Sequence, residues 1–230
     1  MNKRTPLIAT ATLAAALAYG PAHADLQSRL GGQAVYDTDL NVTWLANANL
    51  GGAMSWSTSQ SWVAGLNSAV YLGYADWRLP TTLQPDATCD TQSPTRSAGY
   101  HCTGSEMGHL FYTELGGVAA QSINGTHNAN FGLFQNFQDY SYWSGTEYAE
   151  DANLAWNFLF AGGTQHASYL AGYKLDTMYA LAVRPGDVAA VPEAGTWAML
   201  LAGLVLVGAA ARRRCGRERS SSSRRARWSL

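Results

Sequence analysis

The pattern of hydrophobic and polar positions divides the chain into three parts, with an uncharged apolar segment near each end. The first apolar segment, residues 7–19, follows two basic residues and precedes Ala22 and Ala24, which flank a single histidine. Small residues at these two positions are typical of a signal-peptidase site, and the apolar segment is short for a helix that stays in the membrane. We therefore predict a cleaved secretory signal over residues 1–24.

The second apolar segment, residues 194–211, contains no charged residue and is followed at once by Arg212, Arg213 and Arg214. A helix of about 18 residues rises about 27 Å, which is enough to cross the hydrocarbon core of a bilayer. Because basic residues resist translocation, these arginines would hold their end of the helix in the cytoplasm. The pattern predicts a transmembrane helix over 194–211 and a basic cytoplasmic tail over 212–230.

The mixed region between these ends, residues 25–187, is long enough for one domain with its own core. Residues 34–45 alternate between apolar and polar side chains and predict a strand region. Residues 161–164 carry a glycine-rich turn signal, and residues 188–193 form a linker. Three further strands are predicted at residues 140–144, 154–160 and 179–184.

Two helices are predicted in the same region from apolar side chains at helical spacing. In the first, residues 57–67, Trp62, Val63 and Leu66 form an apolar stripe behind a start rich in serine and threonine. The second helix covers residues 105–115 and begins at a serine that can cap it. Three of its apolar side chains share one face: Met107, Leu110 and Phe111. Strands and helices in this order predict an α+β fold.

The net charge of the whole chain, −1, hides a separation between an acidic domain and a basic tail. Residues 25–193 contain five basic and fifteen acidic residues, while residues 212–230 contain eight arginines and one glutamate. An acidic domain does not suit a phosphate backbone, so we expect no nucleic-acid partner. The acidity suits solubility, which is the simpler explanation, or the binding of cations.

Two of the three cysteines, Cys89 and Cys102, lie in the predicted exported domain, where an oxidising environment favours a disulfide. Such a bond would close a short loop and stabilise the domain by about 3 kcal/mol. The alternative is a metal site formed together with His101 and His109, but these spacings match none of the common zinc patterns. We favour the disulfide.

The end of the chain combines three features in a fixed order. Val191, Pro192 and Glu193 precede the apolar segment 194–211, and the arginine cluster follows it. This combination resembles the PEP-CTERM sorting signal of Gram-negative bacteria. The resemblance implies that an exosortase-type membrane protease is a partner of the chain. It also implies anchoring in the inner membrane before processing, and then a location at the cell surface or outside the cell.

A second resemblance covers nearly the whole domain and rests on a short motif, a tyrosine-tryptophan strand over residues 142–147 and a closing arginine. The motif and the closing arginine are Asp76, Trp77, Arg78, Leu79, Pro80 and Arg184. This order of segments resembles the Lcl C-terminal domain family, which is related to C-type-lectin-like and formylglycine-generating-enzyme folds. The resemblance implies irregular, mostly antiparallel sheets with two flanking helices. Several members of the family are surface adhesins that bind polysaccharide.

Arg78 lies between two apolar residues of this motif, which suggests that it is partly buried. A buried guanidinium needs a carboxylate or carbonyl partner, and Arg184 at the end of an apolar strand has the same need. The candidate carboxylates are Asp76, Glu106 and Glu147. We interpret Arg78 as a clamp of the scaffold rather than a ligand contact, because buried charges are mostly paired.

Aromatic side chains are the candidates for contact with a sugar, because a ring offers an apolar face and tyrosine adds a polar tip. Guided by the family resemblance, we assign this contact to one cluster: Tyr140, Tyr142, Trp143, Tyr148, Trp156 and Tyr173. Core packing is the alternative role for Trp143 and Trp156, and we favour it for these two rings.

Asp37, Asp39 and Asn41 resemble the start of a calcium loop. The glycine and glutamate that an EF-hand needs at its sixth and twelfth positions are replaced by Val42 and Ala48, so that pattern fails. Alternation along a strand would still place the three oxygen-bearing side chains on one face. Two interpretations of these residues therefore remain: they bind calcium in another geometry, or they form a strand face exposed to solvent.

Patterns of catalysis are absent from the sequence, which has no nucleophile elbow, no zinc-protease helix motif and no phosphate-binding glycine loop. We therefore expect a non-catalytic surface protein without a required cofactor, and the family resemblance implies a polysaccharide as its ligand. Two alternatives remain. One is a secreted enzyme of the formylglycine-generating type, which would need reactive cysteines, and the other is a structural matrix component without a defined ligand.

Overall fold

The computed structural model describes residues 26–167, 172–188 and 202–205. The predicted signal peptide, the linker from residue 189 onward and the basic tail lie outside these residues. The predicted membrane helix also lies outside them, except for residues 202–205. Within the described part, no helix combines the length and the apolar character that are needed to span a bilayer.

Short strands and two α-helices alternate along the described domain. In chain order, the strands are β1 Leu26–Arg29, β2 Ala34–Asp37, β3 Val42–Leu45, β4 Ala53–Met54, β5 Thr91–Ser93, β6 Arg96–Ala98, β7 Ser141–Glu147, β8 Ala155–Leu159, β9 Thr164–His166, β10 Met178–Tyr179 and β11 Val183–Pro185. The helices are α1 Trp56–Ser68 and α2 Glu106–His109, a π-helix Leu110–Glu114 that continues α2, and 3-10 turns at Leu30–Gly32, Tyr71–Gly73 and Ala129–Leu133. The predicted α+β class is confirmed, and the likeness to C-type lectins stays a prediction.

The first sheet, in the order β1–β2–β3–β11, is antiparallel and brings the two ends of the domain together. Its central hairpin β2–β3 comes from the alternating segment, and the buried side chains of Val35 and Trp44 lie opposite each other in it. An ion pair of 2.8 Å joins Arg29 in β1 to Asp187, just beyond β11. Both ends of the domain are therefore held by the same sheet.

The second sheet, in the order β4–β10–β7–β8–β9, is mixed, because β10 and β7 run parallel. Its central pair β7–β8 corresponds to two of the predicted strands. The hairpin β5–β6 was not predicted, and it joins the edge strand β9 through a bridge between Gly99 and Gln165. This hairpin lies in the loop that the cysteines close, where serine and threonine hide the strand pattern.

Helix α1 has the predicted apolar stripe, with Val63 and Leu66 buried. Its cap is Ser55, whose hydroxyl accepts a hydrogen bond from the N–H of Thr58, so the helix begins one residue before the predicted start. The indole N–H of Trp56 donates a hydrogen bond of 2.8 Å to the carbonyl of Ser144 in β7. The first turn of the helix is thus fastened to the second sheet.

The second predicted helix has the predicted buried face but changes its winding after four residues. The backbone N–H of Leu115 donates to the carbonyl of Leu110 at 2.9 Å, a step of five residues instead of four. Met107, Leu110 and Phe111 are buried as predicted. Apolar spacing alone does not reveal such a wide turn, and π-helical turns are rare and frequently lie at functional sites.

Two arginine clamps hold distant segments of the domain together. Both terminal guanidinium nitrogens of Arg78 donate to the carboxylate of Glu106, at 2.7 and 2.6 Å, and the N–H of Thr81 adds a bond of 2.6 Å to the same carboxylate. Arg184 makes a second two-pronged contact with Asp76, at 2.7 and 2.9 Å. Paired bonds of this kind fix both position and orientation.

Cys89 and Cys102 form a disulfide, and both side chains are buried. The disulfide prediction is confirmed. His101, which the metal alternative would have used, instead pairs with Asp90 on the surface at 2.9 Å.

Candidate functional site

Three of the six aromatic side chains predicted to contact a sugar lie in the core. Tyr142, Trp143 and Trp156 each expose 2% or less of their surface. The indole N–H of Trp143 donates to the carbonyl of Met54 at 2.9 Å, and the hydroxyl of Tyr142 accepts from the N–H of Gln138 at 2.8 Å. Burial raises the pKa of the Tyr142 hydroxyl. These rings present no face to a ligand, which corrects the assignment of Tyr142 to the sugar contact and agrees with the core packing favoured for Trp143 and Trp156.

The other three aromatic residues do not share one surface. Tyr140 precedes β7 and Tyr148 follows it, while Tyr173 bridges to Leu154 near the same end as Tyr148. A strand of seven residues separates the two ends by roughly 20 Å. The hydroxyl of Tyr148 donates to Glu150 at 2.6 Å. A sugar that contacts Tyr140 therefore lies far from Tyr148 and Tyr173.

An open cavity of about 520 Å³ lies beside Tyr140, where the loop before β7 meets β4 and β10. Tyr140 is 54% exposed there, and its ring meets that of Tyr179 edge-on, with centroids 6.2 Å apart and planes at 86°. The residues that line the cavity are Ala53, Asn124, Phe137, Gln138, Asp139, Tyr140, Thr177 and Tyr179. Two tyrosine rings at right angles to each other thus belong to the lining of the cavity.

The scaffold behind the cavity holds both rings in place. The carbonyl of Tyr140 accepts a hydrogen bond of 3.0 Å from the N–H of Phe160, which continues the ladder between β7 and β8. Tyr179 pairs with Ala53 and Tyr142 in the sheet, and its ring packs against that of Tyr142 at 5.6 Å. The buried Tyr142 therefore supports the cavity from below instead of lining it.

Polar groups of several kinds share the cavity with the two rings. They are the amides of Asn124 and Gln138, the carboxylate of Asp139 and the hydroxyl of Thr177. Amides both donate and accept hydrogen bonds, a carboxylate accepts them and a hydroxyl does either. The combination suits a ligand that carries both hydroxyl groups and apolar C–H surface.

The three side chains predicted to share one strand face are separated by a turn. β2 ends at Asp37, whose Oδ1 accepts the N–H groups of Asp39 and Leu40 at 3.1 and 3.0 Å. Asn41 has a φ of 51°, and its side-chain oxygen accepts from the hydroxyl of Tyr36 at 2.8 Å. The expected alternation is wrong here, because the Asp37 carboxylate stabilises a turn instead of continuing the strand.

Asp37 lies instead in a buried cluster with His109 and Glu114. One ligand-type atom of each residue lies within 4.8 Å of those of the other two. Burial raises the pKa of Asp37, and the like charge of Glu114 adds to this effect. Burial alone would lower the pKa of His109, but the hydrogen bond to Glu114 and the nearby carboxylates outweigh it and raise that pKa.

Comparison of the sequence with known protein families identifies the domain. A family model for the Lcl C-terminal domain matches residues 33–184, well over half of the chain. The chain belongs to the Lcl C-terminal domain family. The matched part of this Lcl C-terminal domain contains the cavity and the buried cluster, while β1 precedes it.

A second model, the PEP-CTERM protein-sorting motif, matches residues 190–214. This match confirms the resemblance drawn from Val191, Pro192, Glu193 and the arginine cluster, all of which lie outside the described residues. The motif marks an exported protein that is anchored in the membrane and processed by an exosortase-type membrane enzyme. No curated protein matches the chain closely enough to count as a relative.

Sequence reasoning missed the second tyrosine of the cavity and the buried glutamate. Tyr179 lies far from Tyr140 in sequence, and only the parallel pairing of β10 with β7 brings the two together. Glu114 left a usable signal, since it follows Leu110 by four positions and Phe111 by three on the predicted helix. An acid on the apolar face of a helix indicates a buried charge that needs a partner.

Proposed function

We propose that this chain is a non-enzymatic protein of the cell surface or extracellular matrix whose Lcl C-terminal domain binds a polysaccharide. The ligand lies in the cavity bounded by Tyr140 and Tyr179. The observation that carries the proposal is the pairing of an exposed tyrosine with a second ring at right angles, in an open cavity that also holds amide, carboxylate and hydroxyl groups.

Sugar rings have apolar faces formed by C–H groups and polar edges formed by hydroxyls. A tyrosine face covers the first, and paired donors and acceptors such as those of Asn124 and Asp139 satisfy the second. The cavity is open to solvent, which supports entry of a sugar unit that belongs to a longer polymer.

The charge of the domain narrows the class of polysaccharide. Residues 25–193 carry fifteen acidic and five basic residues, and the cavity itself contains Asp139. A strongly anionic polymer would be repelled by this field, most of all at low salt. We therefore propose a neutral polysaccharide of the envelope or matrix.

An enzyme of the formylglycine-generating type is a weaker alternative for this chain. Such chemistry needs a reactive thiol, whereas Cys89 and Cys102 are joined to each other and buried. A structural matrix protein without a ligand is distinguished from the proposed binder by experiment.

The test is a glycan array followed by titration calorimetry, with the full-length chain purified in mild detergent. Tyr140→Ala removes the exposed ring and is expected to weaken binding at least about tenfold. Tyr173→Ala is the matched control, because this exposed tyrosine lies at the other end of β7. The control is expected to bind as the unmodified chain does.

Failure of the unmodified chain to bind any neutral glycan would favour the matrix component without a ligand. Equal losses in the two tyrosine variants would show that the cavity is not the binding site. Binding that is confined to anionic glycans would contradict the charge argument but not the location of the site.

A further inference from the structure

The buried cluster of Asp37, His109 and Glu114 has no part in the proposed sugar site. Asp37 ends β2 of the first sheet, His109 ends α2, and Glu114 ends the π-helix. Asp37 and Glu114 expose 0% and 1% of their surface, and the side chain of His109 is 13% exposed. Two carboxylates and an imidazole therefore converge from two elements just beneath the surface.

The π-helix makes this convergence possible. In a regular α-helix, residues five apart point in clearly different directions, because one turn takes 3.6 residues. The five-residue step between Leu110 and Leu115 widens the turn, so that Glu114 comes round to the side of His109. The Nε2 atom of His109 and the Oε1 atom of Glu114 lie 3.2 Å apart as a result.

The end of the π-helix is held in place independently of the cluster. The carbonyl of Glu114 accepts hydrogen bonds from the side-chain amides of Asn128 and Asn130, at 2.9 and 3.0 Å. The carboxylate of Asp37 is likewise oriented by the turn that it caps. Groups that are fixed by their surroundings in this way make a preorganised site.

One oxygen of the cluster has no partner. Glu114 Oε2 is buried and makes no hydrogen bond within the part of the chain that the structure describes. Buried carboxylate oxygens without a donor are rare, and an ion or a bound water is the usual explanation. The position beside a second buried carboxylate favours an ion over a water, because a divalent cation offsets both negative charges and a water offsets neither.

We propose that Asp37, His109 and Glu114 bind one divalent transition-metal ion of the zinc type. Two carboxylates and a neutral imidazole balance the charge of one such ion. The separation of 3.2 Å between the imidazole and Glu114 atoms is close to the value of about 3.3 Å for two ligands of a tetrahedral ion at about 2.0–2.1 Å. Solvent reaches the cluster beside His109 and supplies the fourth ligand.

The imidazole decides between classes of metal ion. Calcium and magnesium take oxygen ligands almost exclusively, and calcium needs six to eight of them. Imidazole together with carboxylates suits zinc and its neighbours in the first transition row. The bound ion would cross-link the first sheet to the helix that packs against it.

Zinc itself is the probe for the test, which uses the full-length chain without a histidine tag. The chain is stripped with a chelator, and Zn²⁺ binding is followed by calorimetry and by the thermal midpoint. We expect one zinc ion per chain and a higher midpoint with zinc. Glu114→Gln and His109→Gln are each expected to weaken binding by at least about 100-fold.

The matched control is His101→Gln. His101 also pairs with a carboxylate, that of Asp90 at 2.9 Å, but the pair is exposed and belongs to none of the three-residue clusters in the described chain. This variant is expected to bind zinc as tightly as the unmodified chain. Cobalt substitution of the unmodified chain adds a readout that needs no variant, since the ion should show tetrahedral absorption without a thiolate band.

Absence of zinc-dependent stabilisation in the unmodified chain would overturn the proposal. Binding that survives His109→Gln in a folded protein would overturn it as well. Binding that requires reduction of the disulfide would assign the metal to Asp86, Cys89 and Cys102 instead, which is the other cluster with metal-type ligands in the described residues.

Discussion

At its Glu147 end, strand β7 is tied to two other segments, whereas at its start it delivers Tyr140 to an open cavity. The hydroxyl of Ser144 and the N–H of Gly145 both donate to the carbonyl of Pro80, at 2.9 and 2.8 Å. The carbonyl of Ser144 also accepts the indole N–H of Trp56. At the other end, Tyr140 leaves more than half of its surface to solvent.

The residues that identify the family therefore differ from the residues that are proposed to bind a ligand. Two of the segments that carry the resemblance, residues 76–80 and 142–147, meet at the tied end through the carbonyl of Pro80. All of the residues that line the cavity lie outside these segments. In this domain, the family motifs therefore identify the scaffold, and the candidate ligand site is formed by other residues.

The largest effect is expected from the middle of β7. Trp143→Ala should lower the free energy of unfolding by about 3–5 kcal/mol, because it empties a fully buried site. Chemical denaturation monitored by circular dichroism measures the change. Trp143→Phe keeps most of the volume and loses the hydrogen bond to Met54, so it should cost clearly less. If Trp143→Ala lost glycan binding but kept its stability, Trp143 would be a ligand contact and not a core residue.

The next effect concerns the clamp beside the tied end. Glu106→Gln leaves the guanidinium of Arg78 without a charged partner and should cost roughly 2–3 kcal/mol. Glu147→Gln is the control, since the side chain of Glu147 is 56% exposed in its ion pair with Lys174 and its loss should cost less than about 1 kcal/mol. Denaturant midpoints of the two variants are compared, and similar losses would contradict a special role for Glu106.

A smaller, pH-dependent effect is expected from the second clamp. The hydrogen bond from Arg184 lowers the pKa of Asp76, against the opposing effect of its burial. Asp76 therefore stabilises the fold above its unfolded pKa of about 3.9, and this contribution is lost as the pH falls through its folded value. Because the carboxylate is 44% exposed, we expect less than about 1 kcal/mol.

Thermal midpoints of the unmodified chain and of Asp76→Asn, measured between pH 7 and pH 3, test this effect. The difference between the two proteins should shrink toward acid pH. A constant difference would mean that the ionisation of Asp76 does not contribute.

The smallest effect on stability is expected at the cavity. Tyr140→Ala should change the free energy of unfolding by no more than about 0.5 kcal/mol, because most of the ring is in solvent. The same denaturation experiment measures it. A loss as large as that of Trp143→Ala would show that Tyr140 belongs to the scaffold, and the contrast between the two ends of β7 would disappear.

The sequence was sufficient for features that depend on local patterns. Alternation placed the strand region that contains β2 and β3, although not the turn between them, and apolar spacing placed α1 and the buried face that includes Phe111. The short loop between Cys89 and Cys102 in an exported chain indicated the disulfide. Each of these inferences relies on neighbours within about a dozen residues.

Features that depend on distant pairing were not accessible in the same way. Tyr140 and Tyr142 are two positions apart, so strand alternation predicts that both lie on the same face of the sheet. Tyr140 is nevertheless exposed, whereas Tyr142 is packed against Phe137, Phe160 and Tyr179. Only the tertiary arrangement distinguishes them. The strand at Asp37 ended early for a different reason, because a carboxylate can bond to the backbone of the next residues as readily as it faces solvent.

The last strand of the domain has partners on both sides, since β11 pairs with β3 on one side and with Arg78 on the other. If the protein is anchored through its C-terminal segment, a mechanical force from shear flow or from a moving polymer acts on the domain through β11. The ladder with β3 and the bridge to Arg78 must then both break before the force reaches the interior of the domain. The ion pair between Arg29 and Asp187 lies beyond the end of β11, so the force acts on this pair first.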